Sequence, residues 1–244
     1  MMRVKWIELT TTFSLMAIGG RLASRQYQSD IRPVGFELVE MQTDRLQARF
    51  IREIVETQTE LDPFGTPIVN TFRRYVWFEF FLIVTKASII LRIHNPPRSL
   101  KDFVAEFASL LDNSITLQEL ELDVDDFLKF LKKAGFAKQV RVRSALFSDV
   151  PLTTNSRGKV LVVSSVDAIQ DFQSKLTGGI LDKAVIDLEK GGRRIGSVEL
   201  NKKGSLRVGD DTLFGEIQTF DTYMAERLSQ RSLQPKRQSI EGRE

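Results

Sequence analysis

A strand, strand, helix pattern recurs in this chain, once as LIVTKASIILRI followed by DFVAEFASLL and once as SVELNKKGSLRV followed by TFDTYMAERL. Both copies end a strand on Leu91, Arg92, Ile93 or Leu206, Arg207, Val208, cross a polar link and enter an amphipathic helix. A sheet with an apolar face and a helix with an apolar stripe must bury those surfaces against each other. The pattern therefore predicts an α+β fold, antiparallel sheets with packed helices, in two related strand-strand-helix halves. The boundaries expected are an N-terminal α+β half at 1–112, a helical connection at 113–138, a C-terminal α+β half at 139–230 and a disordered tail at 231–244.

The rest of the chain is read by period. Val4 and Trp6, then Leu9, Thr11, Phe13 and Leu15, approximate the two-residue alternation of a half-buried strand, with Gly19 and Gly20 as its punctuation. Residues 36–41 read as another strand. Residues 44–58 fit a helix through Leu46, Phe50 and Ile54, and a strand through Leu46, Ala48 and Phe50; the strand is preferred, since the Pro63–Pro67 turn then closes a long hairpin onto 72–84. Phe78, Phe80 and Leu82 on one face and Trp77, Phe81 and Ile83 on the other make that return strand apolar all round, which predicts a central strand covered on at least one face or on both.

Helix starts are expected at Ser99 with Asp102, Thr116 with Glu119, Asp123, and Ser164 with Asp167. The Asp123 helix is expected to stop at Gly135, and the helix after Ser164 to bury Val166, Ile169, Phe172 and Leu176. Strands are expected around Val140–Val142 and at 159–163. From Lys183 a meander turns at Lys190–Arg193 and at Asn201–Gly204 before the last helix, whose stripe is Ile217, Phe220, Met224 and Leu228.

Composition excludes several kinds of chemistry. There is no cysteine, so disulfides, thiolate nucleophiles and zinc-thiolate sites are ruled out, and a reducing, intracellular setting is the expectation. The single histidine, His94, rules out any site that needs two imidazoles from one chain. The apolar run at 13–18 is too short for a secretory signal, and no run approaches the roughly 20 apolar residues of a membrane span. No membrane span, metal or cofactor is expected.

Charge is unevenly spread. Residues 1–134 carry 17 Lys/Arg against 18 Asp/Glu, net −1, and residues 135–244 carry 18 against 14, net +4. Arg141, Arg143, Arg193, Arg194, Lys202, Lys203 and Arg207 are the candidate contacts for nucleic acid or another polyanion. Aromatic residues for stacking bases are scarce there, Phe147 and Phe172 being the only two between 137 and 209. The glycine-rich turn at 190–196 joins strand to strand, unlike a nucleotide loop, which passes from strand to helix. The acidic residues Glu119, Glu121, Asp123, Asp125 and Asp126 lack the glycine and terminal glutamate of an EF-hand and read as helix capping. His94 is read as a surface or strand-capping residue.

Chemistry of the catalytic kind is thus sparse. The leading expectation is a non-catalytic binding module that assembles with a protein partner or with itself. The alternative is nucleic-acid binding through the basic second half, and an enzyme of unknown class ranks third.

Overall fold

The computed structural model describes residues 1–134, 140–190, 193–209 and 217–233. Sixteen elements run in the order β1 (Met2–Thr11), α1 (Leu15–Ser24), β2 (Val34–Met41), β3 (Arg45–Leu61), β4 (Pro67–Val84), β5 (Ile89–His94), α2 (Lys101–Leu110), β6 (Ile115–Glu119), α3 (Val124–Lys133), β7 (Arg141–Thr153), β8 (Ser156–Val163), α4 (Ala168–Gln173), β9 (Ile180–Lys190), β10 (Arg193–Asn201), β11 (Ser205–Val208) and α5 (Ile217–Leu233). The strands form one sheet in the order β2-β3-β4-β5-β1-β11-β10-β9-β7-β8, with β6 also on β1. The fold is α+β and dominated by antiparallel sheet. Both sequence cassettes are strand-strand-helix units, β4-β5-α2 and β10-β11-α5.

Their helices lie on opposite faces of the sheet. Successive side chains of a strand point to opposite faces. On β1, Ile7 and Leu9 enter one apolar cluster with Phe36, Phe50, Phe80, Leu91 and Ile93, under Phe103 and Phe107 of α2. Val4 and Trp6 enter the other, with Leu200, Leu206 and Val208, under Phe220 and Met224 of α5. In each cassette, then, the Leu and Ile or Val of the Leu-Arg-Ile/Val triplet face their own helix, while the arginine between them faces away from it. β1 is the centre of the molecule, because β5 pairs along one side of it and β11 and β6 share the other. Gly204 fits this junction for a steric reason: its φ is +69°, and a Cβ there would meet the Leu120 carbonyl oxygen at 2.5 Å.

Several expectations are corrected. The alternation through Phe13 and Leu15 does not continue as strand: α1 begins at Leu15, with the Ser14 hydroxyl accepting from the Ala17 N–H at 3.2 Å. Gly19 is inside that helix rather than a break, and a Cβ on it would lie 2.7 Å from the Met41 sulfur, so the glycine lets α1 sit close on β2. Thr116 and Glu119 belong to β6, not to a helix start; Thr116 is paired with Thr10. α2 is capped at Leu100 with no side-chain bond, and Ser99 accepts only from the Lys101 N–H at 3.4 Å. The helix expected after Ser164 shrinks to α4, where the Asp167 carboxylate accepts from Ile169 and Gln170 and Val166 stays exposed. The expectation that β4 is covered on at least one face holds: Phe78, Phe80 and Leu82 are buried, and on the other face Trp77 is 58% exposed. The strand reading of 44–58 and the long hairpin hold, as does the Asp123 cap, which accepts from the Asp126 N–H at 3.0 Å. The expected stop at Gly135 and the tail beyond Leu233 lie outside the described residues.

Candidate functional site

The face of the first half that α2 does not cover carries the site. In register across the strands, Trp6 on β1 sits beside Arg92 on β5, Arg92 beside Phe81 on β4, and Phe81 beside Gln47 on β3. Arg45 and His94 lie two residues along on the same face. The start of α5 overhangs this row from the other side of β1 and brings Asp221 onto it.

Arg92 is 2% exposed and Asp221 8%. Their side chains form an ion pair, and the Trp6 Nε1–H donates to the second Asp221 oxygen at 2.8 Å. Burial pushes the Arg92 guanidinium down and the Asp221 carboxyl up, and each partner opposes the shift of the other. Arginine does not give up its proton in proteins, so the guanidinium stays charged in this buried place. A charged group sealed under a helix needs such a partner. The triad therefore clamps α5 onto β1 and β5.

Around Phe81 the polar groups are less well served. The Arg92 and Arg45 guanidiniums lie 4.1 and 4.7 Å from its ring centre, and the His94 ring 4.7 Å from it. Arg45 Nε, Arg92 Nε and His94 Nε2 are buried with no hydrogen-bond partner. They line a cavity of about 540 Å³ together with Met2, Trp77, Asn95, Ile217 and Gln218. Glu79 also lines it, held at 3.1 Å by Arg49.

His94, expected at the surface or capping a strand, ends β5 and is half-buried in this cluster. Its pKa is lowered to about 4, first by burial and then by the charges of Arg92 and Arg45. An unfolded histidine protonates below about 6.5, so the folded state is at full strength above that pH. It loses stability as pH falls towards 4, where the folded state begins to bind the proton too. The depression caps that loss at about 3 kcal/mol, reduced by solvent screening of the exposed part of the ring. Denaturant midpoints between pH 7 and pH 4.5 should show this slope in the native chain, and His94→Gln should flatten it.

The seven basic residues singled out by composition do not gather. Arg141 and Arg143 are exposed on β7, and Arg141 pairs in register with Asp187. Arg207 lies 3.6 Å from Glu199, which also holds Lys183 at 2.8 Å. Lys202 and Lys203 sit in the β10–β11 turn, where Lys202 pairs with Asp182 and both border a cavity lined by Glu119, Glu121, Asp123 and Asp125. Arg193 and Arg194 open β10 at the opposite end, against Lys190 and Glu189. Positive charge is thus interleaved with carboxylates. The acidic cluster is likewise engaged: Asp126 pairs with Lys129 and Arg227, and Glu119 with Lys5.

The β3–β4 hairpin forms an arm. β2 pairs with β3 only as far as Arg52, and β5 pairs with β4 only from Phe80 onward. Between Val55 and Tyr75 the two strands bond to each other alone, and Val55, Leu61, Phe64, Ile68, Val69, Phe72 and Tyr75 are exposed. At about 3.3 Å per residue the arm reaches on the order of 25 Å past the sheet.

No family model and no curated protein matches this chain. Among solved structures, the crystal structure of DynU16, a protein of the dynemicin biosynthetic locus, aligns over 93% of this chain and 98% of its own at 11% identity, with a TM-score of 0.16. A TM-score that low carries no argument about fold or function. No helix among the described residues is long and apolar enough to cross a membrane.

Sequence reasoning missed Arg45, Phe81 and Asp221 as site residues. One signal was present: Arg92 stands in an otherwise apolar strand, where a charge must find a buried partner.

Proposed function

We propose that this chain is a non-catalytic binding module that assembles with a protein partner through the β3–β4 arm, and that a second copy of the chain supplies that partner. The carrying observation is the arm itself. A two-stranded hairpin standing alone in water is marginally stable at best. This one has seven exposed large apolar or aromatic side chains and two free strand edges. Unpaired edges are templates for adding another strand, through backbone hydrogen bonds with side-chain contacts on alternate residues. Antiparallel pairing of β4 with β4 of a second copy makes a closed two-fold contact, the commonest form of association. β2 and β5 hold the arm at its base.

Replacing residues 57–71 with an Asn-Gly turn, which joins the register pair Glu56 and Phe72, keeps every strand that the sheet uses. Light scattering on the purified chain should find a dimer for the intact protein and a monomer for the shortened one, with the same unfolding midpoint for the core. A monomeric intact chain, or a shortened chain that still dimerises, contradicts the proposal.

A further inference from the structure

We infer that the cavity around Phe81 binds a small monocarboxylate with an aromatic or apolar body. The carboxylate would rest on Arg45 and Arg92 and the body against Trp77, Met2 and Ile217. This site is independent of the assembly function of the arm.

Three observations converge on it. First, two guanidiniums are packed against one ring, and one carboxylate, Asp221, serves them: it pairs with Arg92, whereas Arg45 makes no ion pair among the described residues. Glu79, the carboxylate on the cavity wall, is engaged by Arg49. An added anion beside Arg45 relieves the repulsion between the two arginines, and the planar guanidinium fork matches a carboxylate with two parallel bonds. Second, Arg92 is almost wholly buried and keeps an unpartnered Nε, as do Arg45 and the Nε2 of His94. Buried donors left unsatisfied are uncommon and mark places where a missing partner belongs. Third, the cavity volume of about 540 Å³ lies within the range of small-molecule sites, and its lining sets Met2, Trp77, Phe78, Phe81 and Ile217 beside a polar group that includes both arginines. Trp77, 58% exposed at the cavity rim, would be covered by the body of such a ligand. A dianion fits less well, since Arg45 is the one guanidinium of the pair without a carboxylate.

Calorimetric titration of the full chain with phenylacetate, indole-3-acetate and 1-naphthaleneacetate, beside phenylacetamide and inorganic phosphate, tests the inference. At least one aryl acetate should saturate below about 10 mM and quench Trp77 fluorescence, and phenylacetamide and phosphate should bind at least about tenfold more weakly. Arg45→Gln should weaken the aryl acetate at least about tenfold, and Arg45→Lys should recover part of the loss. Arg45 makes no ion pair among the described residues, so the unfolding midpoint of either variant should stay near that of the native chain and separate loss of binding from loss of structure. Absence of saturable binding by all three acids overturns the inference, as does equal binding of the amide, or an Arg45→Gln variant that binds as well as the native chain.

Discussion

Asp221→Ala will destabilise the protein by about 3–5 kcal/mol, because it leaves the Arg92 guanidinium buried and without its counter-ion. Arg92 is 2% exposed, held between the start of α5 and the Phe81 ring. The same change strips the Trp6 indole N–H of its acceptor, a further buried donor left unmade. Equilibrium denaturation followed by far-UV circular dichroism measures the loss directly. Arg92→Met with Asp221→Leu, which removes both charges and keeps comparable volume, should recover most of it, since a buried ion pair is often replaceable by apolar groups while half of one is not. A single variant within about 1 kcal/mol of the native chain would mean that water reaches Arg92.

Phe103→Ala should cost about 3–5 kcal/mol. Phe103 is 1% exposed, and its ring centre lies 5.2–5.6 Å from those of Phe50, Phe78, Phe80 and Phe107. Truncation opens a cavity among five aromatic rings on one sheet face, and strands locked in register on both sides cannot close it. The Trp6 indole belongs to the other apolar cluster, so its fluorescence in a Trp77→Phe background gives a second reading of the same transition. Because β1 contributes to both clusters, Trp6 fluorescence and circular dichroism should shift together; separate transitions would show that the two faces unfold independently.

The parts of the fold that were legible in the sequence are those fixed by local rules. Two-residue alternation and clear turns placed β3, β4, β9, β10 and β11, and the Asp123 cap sits where short-range hydrogen bonding puts it. Local rules failed where tertiary packing decided the outcome. Phe13 and Leu15 continue the alternation of β1, yet the Ser14 cap and the close seat of Gly19 on Met41 turn the chain into α1. Thr116 and Glu119 have the spacing of a capping box, yet the open edge of β1 recruits them as a strand. Trp77 looks like core by composition and is exposed, because no helix covers that face of β4.

The site was less legible than the fold for the same reason. Arg92 and Asp221 are 129 residues apart, and nothing within either segment announces the other. Counting charge directed attention to the basic second half, where the structure pairs Lys202, Arg207 and their neighbours with carboxylates. Arg45 and His94 come from the half with no charge excess. What distinguishes them is a shared face of the sheet, a property of register rather than of composition.

Amide hydrogen exchange on the intact chain at low and high protein concentration tests the central claim most directly. The claim predicts that amides of residues 55–61 and 67–75 exchange at least about tenfold more slowly at the higher concentration, while those of β1, β5 and β11 do not change. Arm amides that exchange at one rate across the whole concentration range, in a chain that remains monomeric, would contradict it.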